Sequence, residues 1–376
     1  MSAARPLPRW ADIALLPLLN LVLAFVVAGI VVLIIGQNPF VATWAIFNGA
    51  FGGGYNIGYT LYYATNFVFT GLAVAVAAHA GLFNIGGNGQ AYIAGLGVAF
   101  VGLALDGTHW LIVAPLAMLA AALFGGAWAF IPGVLQAKRG SHVVITTIMF
   151  NFIASALMVW MLNWPLKDPA AMGPGTRLLA EPSQLPQLGD FMPIFRHTPV
   201  NLSLILALAL LFGVWVLVWR TKFGYALRTM GQNPTASLYA GMSNSRIVMI
   251  VMTLSGALAG LVAFNEVLGV QNRLTLDFVA DAGFVGIAVA LMGRNHPIGV
   301  GLAALLFGAL YQGGNELQYV VPGLTREMVV VIQALVILFT GAMEGLFRTP
   351  LSVAFALFTP AQKAEAMARE TVRSES

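Results

Sequence analysis

The 376-residue chain contains no cysteine. A disulfide framework, a thiolate metal site and a thiol nucleophile are therefore excluded, and the redox compartment is left undetermined. Charge is nearly as scarce: Asp, Glu, Lys and Arg together make up 9% of the residues, against about 25% in soluble domains. The five histidines (His79, His109, His142, His197 and His296) are scattered. No His-Glu-x-x-His or paired-acid spacing appears, so no catalytic or metal-ligating set stands out. A Gly-x-x-x-x-Gly-Lys-Ser/Thr phosphate loop is also missing, so the chain cannot couple ATP hydrolysis alone.

What is present is apolar surface. Hydrophobic residues form 59% of the chain, which identifies an all-α, polytopic membrane protein with the bilayer as its main solvent. The net charge of +4 does not argue for nucleic acid, because in a membrane protein the placement of charge matters more than its sum. A crossing helix needs about 20 apolar residues. Spans are predicted at 13–35, 60–79, 83–104, 110–132, 143–163, 201–219, 246–268, 279–293, 297–315 and 328–347. The first run is too long for a secretory signal and shows no small-residue cleavage site, so it is read as a retained helix. The semi-polar stretch 37–59 is placed on the outer surface as a short interfacial helix.

With the N-terminus cytoplasmic, ten crossings return the C-terminus to the cytoplasm. Of the 18 Lys and Arg residues, only Lys167, Arg177, Arg196, Arg273 and Arg326 then fall outside, as the positive-inside rule requires. An odd number of spans would force a basic terminus outside. The domain reading is a membrane domain over 1–360, with an external loop at 164–200 and a cytoplasmic loop at 220–245. A polar, solvated tail follows at 361–376.

Two stretches carry most of the information. The first is Gly81-Leu-Phe-Asn84-Ile-Gly86-Gly87-Asn88-Gly89-Gln90. Glycines and amides make poor lipid-facing helix, and broken backbone at membrane depth survives only where protein covers it or a wet cavity meets it. The segment therefore touches either a transport pathway or a close helix crossing built on small residues, and both readings stand. Asn84, Asn88, Gln90, Thr146, Thr147 and Asn151 are the candidate pathway-lining residues, because amides and hydroxyls offer weak, reversible bonds to a neutral polar solute. Glu266 and Glu316, near the outer ends of their spans, are further candidates. Asp277 and Asp281 open the eighth span, and Asp277 is read as a cap.

The second stretch runs from Arg220 to Arg246. Asn233 suits an N-cap, Pro234 the first helical position and Gly241 a left-handed stop. The short helix between them shows a small-residue face of Ala236, Ser237 and Ala240. Too short to bury a core, it is read as a peg that docks on another protein; a plain capped turn is the alternative.

These stretches resemble a family. Residues 81–90, Gly140-Ser-His142-Val-Val-Ile-Thr146-Thr147-Ile-Met-Phe-Asn151, Gly231–Gly241 and, more weakly, Gly283–Pro297 are similar, in order, to the permease subunits of ATP-binding-cassette importers. The branch is the one handling nucleosides, simple sugars and branched-chain amino acids, and the match is best to the nucleoside or simple-sugar type. This chain departs from the family pattern with Asn88 for a usual Glu, His142 for a frequent acid and Thr235 for the Glu of the coupling loop. The resemblance implies two permease subunits, alike or different, with a pathway along their interface. It implies two ATPase subunits gripping residues 233–241, an extracytoplasmic binding protein that delivers solute, and a bacterial cytoplasmic (inner) membrane location. It also implies no cofactor in this chain, Mg-ATP being bound by the ATPase partner, and two inverted five-helix halves. The expected function is passage of a small polar solute, with a nucleoside ranked first and simple-sugar or amino-acid permeases as alternatives. An ion-coupled secondary transporter is disfavoured by the near absence of mid-span charge, and a membrane enzyme by the lack of convergent catalytic groups.

Overall fold

The computed structural model describes residues 15–320 continuously, together with residues 8, 11, 328, 330, 331, 334, 335, 338 and 350–352. Most of the expected tenth span (328–347), the tail 361–376 and the basic N-terminal residues Arg5 and Arg9 lie outside the described residues. Among the described residues the secondary structure is helical and includes no strand. Isolated bridges join Gly175 to Thr275 and Gln187 to Asn201.

The chain divides into two compact units, 1–43 with 327–376, and 44–326. In the first, α1 (Leu16–Ile34) buries Ala24, Ala28 and Val32 at a four-residue spacing while Leu18, Val22, Val26 and Ile30 stay exposed. That is the face pattern of a helix half in lipid. Helix α2 (Pro39–Phe51), which belongs to the second unit from Trp44 onward, occupies the stretch read as interfacial. It turns Phe40, Trp44, Phe47 and Phe51 outward and Ala42, Ala45 and Ala50 inward.

The second unit is built around α3 (Gly54–His79), in which every residue from Ala64 to Ala77 is buried. Helix α4 (Gly87–Ala104) follows a non-helical segment at 80–86; α5 (Trp110–Arg139) and α6 (Val143–Asn163) come next. A 164–202 connection with three short 3-10 turns leads to α7 (Ser203–Arg220). Then come α8 (Lys222–Gln232), α9 (Pro234–Tyr239) and α10 (Asn244–Ala263). Helix α10 runs on into a π-turn at Phe264–Leu268. Helices α11 (Ala282–Met292) and α12 (Pro297–Val320) complete the unit. Among the described residues, six helices are long and apolar enough to cross a membrane: α3, α5, α6, α7, α10 with its π-turn, and α12.

Close approach of α5 and α10 fixes the frame. Ala121, Gly125, Ala129 and Gly133 recur at every fourth position on α5 and are all buried. They face Met252, Gly256 and Gly260 of α10. A Cβ on Gly256 would strike the Gly125 carbonyl and the Ala129 methyl, and one on Gly260 would lie 2.5 Å from the Ala121 carbonyl. Small residues at this spacing let backbones touch where no hydrophobic force between helices operates.

Three expectations are corrected. Helix α5 extends beyond residue 132 to Arg139, because Lys138 and Arg139 in its last turn suit the negative end of the helix dipole and Gly140, at φ 69°, supplies the left-handed stop. The third span begins at Gly87 rather than 83. The eighth expected span is only the 11-residue α11, about 16 Å long and too short to cross alone. Its apolar lead-in is not helical, since Asp277, Ala280 and Asp281 all adopt positive φ (57°, 43° and 58°), which ends a right-handed helix.

Candidate functional site

Two helices start inside the unit rather than at its ends. The far end of α4 lies beside the 164–200 segment, with Gly102 against Leu179, and Arg177 bonded to Asp106 at 2.5 Å. The far end of α11 lies at the opposite pole, where the His79 ring donates to the Asn295 carbonyl at 3.0 Å. The two N-termini meet. Asn88 accepts from the Gly283 backbone N–H at 2.7 Å and donates to the Asp281 carboxylate at 3.0 Å. A Cβ on Gly283 would lie 2.7 Å from the Gly87 carbonyl carbon, so glycine is required for this approach. A non-helical backbone with orphan N–H groups at such depth needs internal partners, and the amides of the 81–90 motif provide them.

Most of the predicted pathway residues lie in this knot. Asn84 and Gln90 exchange two amide bonds of 3.0 Å each. Asn84 also accepts from the Gly86 N–H at 2.9 Å and donates to Ser255 of α10 at 2.8 Å, and Ser255 in turn donates to the Ala73 carbonyl of α3. Asn151 of α6 accepts from the Gly89 N–H at 2.9 Å and donates to the Ile85 carbonyl at 3.0 Å. Thr146 and Thr147 bond back to the Val143 carbonyl of their own helix, and Thr147 abuts Gly86. Asn84, Asn88, Gln90 and Thr147 are each at most 5% exposed. Within this chain they tie the helix start to α3, α6, α10 and α11.

Glu266 lies apart from them. The π-turn at 264–268 aims Asn265 and Glu266 together into the interior, both at most 3% exposed. Glu266 accepts from Tyr62 at 2.5 Å and Asn66 at 2.6 Å. Asn265 donates to Asn66 at 2.9 Å and accepts from Asn201 and Ser203 at 2.8 and 2.6 Å. Insertions of this type re-aim side chains and recur at functional sites. Glu316 is half-buried at a third place, accepting from Gln312 at 3.2 Å on the same helix.

At the opposite pole from the 164–200 segment, α9 occupies the place of the predicted peg, and α8 leads into it. Asn233 caps α9 by accepting from the Thr235 and Ala236 N–H groups at 3.1 and 3.0 Å. Pro234 opens the helix, Ala240 closes it, and Gly241 sits at φ 77°. Asn233, Pro234, Ala236, Ala240 and Gly241 are exposed. Ser237, expected on the small outer face, is turned inward, 2.8 Å from the Pro234 carbonyl and 2.5 Å from the Asn244 amide oxygen. The exposed tip is Leu238 and Tyr239, the latter 90% exposed.

Sequence reasoning did not find α8, whose Gly224, Leu227 and Met230 are buried. It also missed what α8 touches. A Cβ on Gly231 would strike the His79 carbonyl, so the base of the peg rests on the end of α3, where the 80–86 break begins. His79 stacks edge-on against Trp219 at 5.0 Å, and Trp219 lies 4.9 Å from His296. Gly231 was the available clue, since glycine inside an amphipathic helix commonly marks close packing.

The described residues thus form a helical membrane protein with two helix starts buried inside it, glycine-built crossings and an exposed capped peg. A family model described as "Branched-chain amino acid transport system / permease component" matches residues 56–341, and the chain belongs to this family. It is a membrane-embedded transport subunit. The guanosine ABC transporter permease protein NupP of Bacillus subtilis is 36% identical over 330 residues, 87% of this chain and 93% of that protein. The nucleoside ABC transporter permease protein NupB of Lactococcus lactis is 34% identical over 329 residues, 86% and 90% of the two chains. The glucose ABC transporter permease protein TsgB13 of Haloferax volcanii is 31% identical over 361 residues, 94% of each. No solved structure gives a significant match.

Proposed function

We propose that this chain forms half of the translocation pathway of an ATP-driven nucleoside importer in a bacterial cytoplasmic membrane. The observation that carries the solute class is the likeness, over nearly the whole chain, to a guanosine and a nucleoside permease. A glucose permease at 31% identity favours a second reading, a simple sugar. Both are neutral, hydroxyl-rich solutes. The proposed topology is ten spans over 1–360 with both termini cytoplasmic, the 164–200 segment outside, the 220–245 loop inside and a polar tail at 361–376. Its spans two to five and seven to ten form inverted halves. The N-terminus-to-N-terminus meeting of α4 and α11, which leave in opposite directions after matching breaks, supports that symmetry.

The partners in this reading are an ATPase subunit that holds Mg-ATP, a second permease, like or unlike, and an extracytoplasmic binding protein. The ATPase grips Asn233–Gly241. Closure of the ATPase pair pulls on α9, and the tight seat of Gly231 on His79 passes the displacement to the break at 80–86 and, through Asn295, to the turn before α12. Asn84, Asn88, Gln90, Thr146, Thr147 and Asn151 belong to the moving hinge in this reading, with Glu266 and Glu316 toward the outer end of the pathway.

The test uses the assembled transporter in proteoliposomes. A side chain at Gly241 meets nothing within 4 Å, so Gly241→Leu acts through the left-handed backbone alone, at about 1–2 kcal/mol, too little to unfold the protein. ATP hydrolysis should persist while guanosine uptake is lost. Uptake equal to wild type in that variant would refute the coupling role of the peg, and absence of ATP-dependent guanosine uptake by the wild type would refute the nucleoside assignment.

A further inference from the structure

Beside the amide knot lies a face that neither the motif nor the family assignment accounts for. Asp281 stands at the N-terminus of α11, exposed, with its carboxylate bonded to Asn88. Asp277, one turn of chain earlier, is exposed too and accepts from the Tyr92 hydroxyl at 3.2 Å. Both hydrogen-bond partners are uncharged. Tyr311 of α12 lies within electrostatic range of Asp281, and Tyr92 lies within range of both acids. Tyr63 of α3 continues the surface. Its ring is 5.8 Å from that of Tyr311, and its hydroxyl accepts from Asn315 at 3.1 Å. Tyr63, Tyr92, Tyr311 and Asn315 are all partly exposed.

Depth gives this face its meaning. Helix α11 runs about 16 Å from Asp281 to the α8–α9 pole, and α4 runs about 27 Å from Gly87 to the opposite one. The two lengths together, about 43 Å, match a bilayer of about 40–45 Å with its headgroups, so Asp281 sits inside the hydrocarbon layer, nearer the α8–α9 side. An exposed carboxylate there cannot face lipid, where it costs about 3 kcal/mol or more. It faces water or protein that supplies donors. Packing does not require these groups either, since both acids stand on a chain segment whose buried anchors are Leu274, Phe278 and Val279.

We propose that Asp277, Asp281, Tyr63, Tyr92, Tyr311 and Asn315 form a station within the membrane that the solute touches in transit, resting on the nucleoside reading above. The two carboxylates accept hydrogen bonds from vicinal sugar hydroxyls or from base N–H groups, and the tyrosine rings offer faces for a planar base. Carboxylates suit a hydroxyl-rich neutral solute and reject an anionic one such as a nucleotide. Asp281 is exposed and its carboxylate is bonded to the neutral Asn88 amide, so it presents acceptor oxygen to solute. The hinge amides are consumed by the fold; the Asp277 and Asp281 side chains are exposed.

Because the chain has no cysteine, single introduced thiols report cleanly. In the assembled transporter in proteoliposomes, Asp281→Cys and Tyr92→Cys are exposed to a charged, membrane-impermeant methanethiosulfonate reagent through the ATP cycle, with Leu208→Cys on the exposed apolar face of α7 as the lipid-side control. The two pathway thiols should react, the control should not, and guanosine should slow reaction at Tyr92→Cys, which keeps both carboxylates. In parallel, Asp281→Asn should lower guanosine uptake by about tenfold to a hundredfold, the range for losing a hydrogen bond to a charged group. Tyr311→Phe should transport and Tyr311→Leu should not. Silence of both pathway thiols in every nucleotide state overturns the proposal, as does reaction without protection combined with wild-type transport by Asp281→Asn. If the wild type moves glucose instead of guanosine, the nucleoside reading falls while protection by glucose still tests the station.

Discussion

The reciprocal amide pair of Asn84 and Gln90 allows the hinge to be tested by a double-mutant cycle. Asn84→Leu nearly conserves volume and deletes four hydrogen bonds. Interhelical bonds in membranes average about 0.6 kcal/mol, so the bonds alone account for about 2 kcal/mol. Leaving the Gln90 carboxamide and the Gly86 N–H buried without partners adds about 1 kcal/mol or more for each. The expected loss is thus about 3–5 kcal/mol. Gln90→Met removes only the mutual pair. Asn84 keeps its Ser255 and Gly86 bonds, and the expected loss is about 1 kcal/mol. The double variant no longer strands a Gln90 amide and should be more stable than Asn84→Leu by about 1–2 kcal/mol. The assay is the apparent Tm of the detergent-solubilised protein followed by tryptophan fluorescence at one heating rate, which ranks variants even where unfolding is irreversible. Additive losses, with the double variant below both singles, would refute the claim that these amides are structural partners.

Two further outcomes are expected. Gly256→Val drives a branched side chain into the Gly125 carbonyl and Ala129, so the α5–α10 crossing should open at a cost of about 1–3 kcal/mol or more and folded yield should fall. Gly213→Val, at a glycine with nothing within 4 Å, should leave the yield unchanged, and equal yields for the two would contradict the crossing. Asn88→Leu unties Gly283 and Asp281, so ATP-dependent uptake should fall further than the Tm or the recovery of assembled complex. Parallel losses of uptake and assembly would mean that Asn88 serves packing alone.

The parts of the molecule legible in the sequence are those set by local chemistry. Long apolar runs placed α6, α7 and α10 within two residues at each end, and one end each of α3 and α12, because hydrophobic length is a property of contiguous chain. Asn233, Pro234 and Gly241 marked α9 for the same reason: a cap, a fixed φ and a left-handed stop each act within one turn. The 81–90 motif was visible as a break because glycine and amide are costly in lipid whatever surrounds them. Helix α11 was misjudged because apolarity continues through Phe278 and Val279 while the backbone does not, and nothing local reveals positive φ at Ala280 and Asp281.

By itself, then, the sequence determined the solvent of this protein, the approximate course of its helices, the punctuation of the peg and the place where a helix must break. The tertiary structure alone decided what that break touches: Asn88 on Gly283 and Asp281, Asn84 on Ser255, Gly231 on His79. These partners are separated by 150 residues or more. Lipid demands that every buried polar group find a partner without specifying which, and only the packing of distant glycines brings the partners within reach.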